Sequence, residues 1–313
     1  IDPFGGQSDR ALAREKINNN IDMAIGLLSQ AGESGPDIVC YTEDVQGIAH
    51  YGYYLADLEL FTVFIETIPG PTTERLSAVA RKYSMNIVFG IFEKLNDEFY
   101  NTAVLMGRNG EILGKCHKVH LPASERWGVR RGNGFPVFET DFGTVGMLIC
   151  YDLMFPEPAR ALVLNGAEIL LNPTMGYATS MQCADNGLVR ARSRALDNMV
   201  PLAISISGSG SMIISSDGSV LTEVPPGQVG VASATLDLDG TPMDYSQWEV
   251  ITGTADLKAR YIQERVPEAY GDITNPHPPI LDRYKEEGKR LRKTPEENWE
   301  AFEEIRRRWS GAS

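Results

Sequence analysis

The sequence predicts an α/β fold built on a mixed sheet or sheets. Stripes of apolar residues at helical spacing alternate with short continuous apolar runs, the pattern of helices packed on buried strands. Asn-Gly and Asp-Gly steps between apolar runs add hairpins, so antiparallel pairing enters a sheet that a purely parallel, doubly wound fold would lack. A composition of 42% hydrophobic and 23% charged residues is that of an ordinary globular chain, and 313 residues allow one large core with a tail.

The elements follow in order. Ile17, Ile21, Ala24, Ile25 and Leu28 form one stripe of a first helix starting near Ser8. The run Ile38-Val39-Cys40-Tyr41 is too short for a helix and is a buried strand, with Thr42-Glu43-Asp44 at its C-terminal end. Pro69-Gly70-Pro71-Thr72 breaks the chain and starts a helix whose Leu76, Val79, Ala80 and Tyr83 face inward, and the strand Ile87 to Phe92 follows. Arg108-Asn109-Gly110 joins two apolar runs as a hairpin. Val145 to Ile149 is a buried strand, Pro156 to Leu164 a helix closed by Asn165-Gly166, and Glu168 to Leu171 a strand ended by Asn172-Pro173. A helix over Asp185 to Met199, a strand over Leu202 to Ile206, a hairpin at Asp217-Gly218 and a strand over Val229 to Leu238 complete a domain spanning residues 1–240. Residues 241–313 are polar and punctuated by proline. They end in a charged helix with a narrow stripe of Trp299, Phe302, Ile305 and Trp309, expected to be an oligomer contact.

Charge and cysteine usage exclude several classes of function. The formal net charge of -13 repels phosphate backbones and anionic lipid surfaces, so neither nucleic acid nor membrane is an expected partner. Cys40, Cys116, Cys150 and Cys183 are scattered without a CxxC pair, the usage of reduced thiols. No run of 18 apolar residues occurs, and the opening Ile1-Asp2-Pro3-Phe4-Gly5-Gly6 lacks the basic and apolar regions of a signal peptide, so the expected compartment is the cytoplasm.

Three strand ends carry the chemistry. Cys150 follows a buried strand and precedes Tyr151-Asp152 and a helix start, where backbone N–H groups favour a thiolate and an oxyanion. Glu43 lies just beyond another buried run, and Lys118 lies in the otherwise apolar segment Cys116 to Pro122. A buried carboxylate or ammonium is expensive unless paired, so a Glu, a Lys and a Cys at neighbouring strand ends would satisfy one another. Taken singly, Glu43 reads as a loop carboxylate, Lys118 as a snorkelling lysine and Cys150 as a core thiol.

These blocks resemble the nitrilase superfamily of carbon–nitrogen hydrolases. The resemblance rests on Tyr41-Thr42-Glu43, on Lys118-Val119-His120-Leu121-Pro122, and on Ile149-Cys150-Tyr151-Asp152-Leu153-Met154-Phe155-Pro156-Glu157. It continues through Asn165 to Glu168, Leu171-Asn172-Pro173, the helix Arg190 to Asn198, and Ser215 to Gly218. The chain departs from the family in having Tyr41-Thr42 where Phe-Pro is usual, and the family's usual opening strand is missing or cut short before Ser8. The resemblance implies an α-β-β-α sandwich that pairs into a homodimer. It also implies a catalytic triad of Glu43, Lys118 and Cys150, with Glu125 as a second glutamate. Glu43 would take the Cys150 proton, Lys118 and the Tyr151 N–H would hold the oxyanion, and the substrate would be a small amide. No metal or organic cofactor is needed for these steps.

Other readings of the same residues differ in what they require. A Cys–His enzyme would draw its base from His50, His117, His120 or His277, none of which the sequence directs at Cys150. Zinc at His117 and His120 would need residues three apart on a strand, which point to opposite faces. A non-catalytic scaffold would not need Cys150, Lys118 and both glutamates together. Arg190, Arg192 and Arg194 are expected to form structural ion pairs. Leu153 and Met154, where carbamoyl-hydrolysing members commonly place arginine, are expected to flank the thiol and favour a neutral amide over an N-carbamoyl amino acid.

Overall fold

The computed structural model describes residues 10–49, 58–122, 125–126, 128–176, 184–208, 210–238, 249, 253 and 255–288. Within residues 1–240 the elements run α1 (Arg10–Gly32), β1 (Ile38–Cys40), α2 (Leu58–Phe64), α3 (Pro71–Tyr83), β2 (Asn86–Leu95), β3 (Glu98–Met106), β4 (Ile112–His117), β5 (Val137–Thr140) and β6 (Gly143–Met147). They continue with a 3-10 turn (Cys150–Met154), α4 (Pro156–Leu164), β7 (Ile169–Thr174), α5 (Ala184–Asn198), β8 (Leu202–Ile206), β9 (Met212–Ile214) and β10 (Val220–Glu223).

Two mixed sheets form. The first has the order β1-β2-β3-β4, with β1 parallel to β2 and the rest antiparallel. The second has the order β10-β9-β8-β7-β6-β5, with β6, β7 and β8 mutually parallel. Side-chain alternation along the strands divides the core into three layers. Ile87, Phe89, Ile91, Val104 and Met106 pack against Leu76, Val79 and Ala80 of α3 and Ala24 and Leu28 of α1. Val88, Ala103, Leu105 and Cys116 of the first sheet meet Val145, Met147, Ile169 and Leu171 of the second. Leu162 and Val163 of α4 and Ala191 and Ala195 of α5 cover the far face of the second sheet. The arrangement is the α-β-β-α sandwich.

Local chemistry accounts for the boundaries. Helix α3 begins with Pro71 at N1 and ends at Ser84, whose φ is 49°, and α4 begins with Pro156 and closes at Asn165-Gly166. The hairpin between β3 and β4 turns at Gly110, where φ is 76°. The expected strand over Val229 to Leu238 is not formed. Val229 and Val231 are exposed while Leu236 and Leu238 pack into the inter-sheet core, and no described strand pairs with the segment. Its apolar residues anchor an irregular segment, a role that gives the same pattern as a strand face.

Residues 241–313 form a separate compact unit. Its described helices are α6 (Leu257–Gln263), capped by the Asp256 carboxylate accepting from the Lys258 and Ala259 N–H groups, and α7 (Pro279–Glu286). The stripe Trp299, Phe302, Ile305 and Trp309 lies outside the described residues. Among the described residues, no helix is long and apolar enough to cross a membrane.

Candidate active site

Four charged or nucleophilic side chains from four separated segments meet at the ends of the strands facing the inter-sheet layer. Glu43 follows β1, and its segment continues along β2 by hydrogen bonds from the Gly90 N–H to Thr42 O (2.9 Å) and from the Val45 N–H to Gly90 O (3.0 Å). The crossing is so close that a Cβ at position 90 would lie 1.9 Å from Glu43 O, which is why a glycine interrupts the apolar run of β2. Asp44 closes the following loop by accepting from the Gly47 (3.0 Å) and Ala49 (2.8 Å) N–H groups. Lys118 extends β4 by one residue, its N–H donating to Asn101 O at 2.9 Å and its carbonyl accepting from the Gly132 N–H at 2.7 Å. Glu125 sits in a short turn anchored on Pro122 O.

Cys150 opens the 3-10 turn between β6 and α4 with φ of 44°, a left-handed conformation that L-residues adopt at a cost. The first hydrogen bond of that turn runs from the Asp152 N–H to Ile149 O at 2.9 Å, so the Tyr151 N–H precedes it.

The electrostatics centre on Lys118, which is 0% exposed, as is Glu43, while Glu125 is 2% exposed. The ammonium donates to Glu43 Oε1 (2.6 Å) and Glu125 Oε1 (2.5 Å), and a three-donor ammonium so placed keeps one N–H for a further acceptor. The readings of Glu43 as a loop carboxylate and Lys118 as a snorkelling lysine are thereby excluded. Burial opposes the charge on Lys118, but the neighbouring Glu125 and Glu43 outweigh it and hold the ammonium well above its usual range. Glu43 is satisfied from three sides: Oε1 accepts from Lys118 and from Asn101 Nδ2 (2.8 Å), and Oε2 accepts from the Met175 N–H (2.8 Å). One lone pair on Oε2 is left.

Glu125 and Cys150 are both pushed toward their neutral forms. Burial raises the Glu125 carboxyl to about 7, against the pull of Lys118 and with the help of Glu43. Burial and the charge of Glu43 raise the Cys150 thiol, opposed only in part by Lys118 and the Met175 N–H, so the resting group is a thiol at neutral pH. A nucleophile in that state needs a base at the moment of attack. Burial also raises Cys40, to about 12, and Cys116, which lies in the inter-sheet core with Sγ 3.8 Å from Met147 O. Thiol acidity therefore does not single out Cys150; its neighbours and strained backbone do. Cys183 lies outside the described residues.

The shifted Glu125 makes stability depend on pH. Its folded value of about 7 lies above its ordinary 4.5, so the folded state binds more protons between the two and stability falls as pH rises through that window. Glu125→Gln has no such proton. Its melting temperature relative to wild type is expected to climb from pH 4.5 to pH 7, and parallel melting curves across that range would contradict the burial of an ionisable group here.

Further partners complete the site. Asp152 joins the Lys118 and Cys150 segments: Oδ1 accepts from the His120 N–H and lies against His120 Nδ1, both at 2.8 Å, and Oδ2 accepts from the Ile149 N–H at 3.2 Å. His120 also stacks on Phe155 at 4.0 Å, and His117 lies against Glu93 at 2.9 Å, so the two histidines are held by different carboxylates. Arg190, Arg192 and Arg194 donate to backbone carbonyls of Met154, Phe155 and Gly218, bracing the 3-10 turn and the β9–β10 hairpin. Leu153, expected to flank the thiol, packs into the α4–α5 core beside Leu148, Ala159 and Leu162, because the 3-10 turn points it inward. Among the described residues, no group of three or more His, Cys, Asp or Glu side chains could hold a metal ion.

The model of the carbon–nitrogen hydrolase family matches residues 19–242. A Schizosaccharomyces pombe protein described as a probable nitrilase is 32% identical over 223 residues, which cover 66% of this chain and 76% of the relative. An Arabidopsis thaliana N-carbamoylputrescine amidase is 30% identical over 268 residues, 75% of this chain and 87% of the relative. Among solved structures, a carbon–nitrogen hydrolase from Helicobacter pylori aligns with a TM-score of 0.67 at 21% identity, over 84% of this chain and 95% of that one. That likeness is one of fold.

Proposed function

The chain belongs to the carbon–nitrogen hydrolase family, and on that premise we propose that it hydrolyses small neutral amides through a thioester on Cys150. The observation that carries this reading is the three-sided hold on Glu43, which leaves one lone pair of Oε2 for the Cys150 proton. Glu43 removes that proton as Sγ attacks the amide carbon, and the carbonyl oxygen becomes an oxyanion. The remaining Lys118 N–H and the Tyr151 N–H stabilise it, both being fixed before the substrate arrives. Collapse breaks the C–N bond, and the proton held on Glu43 leaves with the amine. Water then gives a proton to Glu43 and attacks the thioester. Expulsion of the Cys150 sulfur, which recovers its proton, releases the acid. Glu125 positions the reactants through Lys118. These steps call on side chains and backbone alone. A homodimer, and function as a cytoplasmic enzyme, belong to the same proposal.

The preference for a neutral substrate rests on charge. Two carboxyls face one ammonium, so the site is neutral while Glu125 holds its proton and net negative once Glu125 ionises above about 7, and in neither state is there surplus positive charge to hold an anionic substrate. Two of the loop arginines that could supply it are engaged: Arg126 Nε donates to Leu121 O at 3.0 Å and Arg130 Nε pairs with Glu98 at 3.1 Å. The kcat/KM for a short aliphatic amide is expected to exceed that for N-carbamoyl-alanine at matched salt. Preference for the carbamoyl acid, lost on replacing Arg126, Arg130 or Arg131, would overturn the assignment.

A further inference from the structure

We propose that Asn101 is a positioning residue that orients both active-site glutamates at once and favours the ionised form of Glu125. The inference rests on the reading of Glu43 as base and adds a residue to it. Asn101 lies on β3 opposite Phe92, at an inward position that the strand's alternation would fill with an apolar side chain, and it is 0% exposed. Its Nδ2 donates to Glu43 Oε1 at 2.8 Å and to Glu125 Oε2 at 3.2 Å, while its backbone oxygen accepts from the Lys118 N–H. One residue thus touches all three charged members of the site.

The other end of the amide identifies what the residue is for. Oδ1 is buried and has no hydrogen-bond partner among the described residues. Rotating the amide would not cure this, because the oxygen would then face two carboxylate oxygens. An unpaired buried carbonyl costs stability, and leucine would fill much the same space without it. The residue type therefore makes sense through its two N–H groups. Aspartate would place a third carboxyl beside Glu43 and Glu125, whereas a second cation would compete with Lys118. A neutral double donor holds two carboxylates without altering the charge of the site.

The consequence is directional. The groups facing Glu125 are Lys118 on the extension of β4, Glu43 after β1, Asn101 on β3 and Cys150 on the 3-10 turn. With the Asn101 donors gone, Glu125 loses a hydrogen bond that favours its ionised form, so its carboxyl holds its proton to higher pH. A charge-assisted hydrogen bond of ordinary strength corresponds to a shift of about one to two pH units.

The test uses the full chain with Asn101→Leu and Asn101→Ala, each compared with wild type in the pH profile of kcat/KM and in the titration of 13C-labelled glutamate carboxyls by NMR. The Glu125 resonance, assigned by its loss in Glu125→Gln, is expected to titrate about one to two pH units higher in Asn101→Leu, and the acid limb of the profile to move the same way. Asn101→Ala, which adds neither bulk nor charge, serves if leucine disturbs folding, and the same upward displacement is expected of it. A displaced resonance supports the assignment even if wild type turns over none of the amides tried, which separates it from the hydrolase reading. An unmoved resonance and limb in a folded variant, with only the height of the profile reduced, would make Asn101 a packing residue and overturn the proposal.

Discussion

Cys150→Ala is expected to lower amide turnover by about 10⁴-fold or more while leaving the fold and melting temperature close to wild type, since a covalent nucleophile has no substitute within reach. Glu43 and Lys118 remain in place without it, but a base and an oxyanion donor with no attacking atom have little to act on. The cost to the fold is small because Cys150 is only half-buried and alanine meets the same backbone strain at φ of 44°. Ammonia release measures the loss, and a thermal melt separates it from unfolding. Activity within tenfold of wild type, with Cys116→Ala inactive instead, would move the nucleophile to the inter-sheet core.

Lys118→Met is expected to act on both catalysis and stability. Loss of one oxyanion donor costs about 10²–10³ in kcat with little change in KM, because the interaction forms mainly in the transition state. The same substitution strips Glu43 and Glu125 of their shared cation, and uncompensated buried charge costs about 3–5 kcal/mol. Glu125, already pushed toward its neutral form by burial, can escape that penalty by taking up a proton. Destabilisation should therefore be largest at alkaline pH and shrink as pH falls. Melts at pH 5 and pH 8 check the sign, and equal losses at both would mean that the lysine contributes packing alone. A variant changed only in KM would make Lys118 a substrate contact.

The layers of this fold were legible where local chemistry decides structure. The first half of β7, Ile169 to Leu171, is covered on both faces and reads as an apolar run, although the strand continues through Asn172-Pro173, read from the sequence as its end, to Thr174. Pro156 and Asn165-Gly166 mark the ends of α4. Glu43 and Lys118 were legible for the opposite reason, as charges stranded in apolar surroundings that demand a partner. Asn101, the Asp152–His120 link and the Met175 N–H were missed. Their contacts join positions far apart in the chain, 58 residues for Asn101 and Glu43 and 132 for Met175 and Glu43, and Met175 contributes only its backbone. A polar residue at an inward strand position was the available signal for Asn101. The segment over Val229 to Leu238 failed because alternation reports which side chains are buried, and irregular backbone can bury Leu236 and Leu238 as well as a strand can.

The central claim is that an amide passes its acyl group to the Cys150 sulfur before water takes it. Intact-mass spectrometry of the enzyme quenched in acid during turnover, followed by peptide mapping, tests this across a panel of short amides. The account predicts a mass increase equal to the acyl group of the amide supplied, located on Cys150, and absent from Cys150→Ala. Steady turnover with no adduct under any quench, or an adduct on Cys40 or Cys116 that persists in Cys150→Ala, would contradict it.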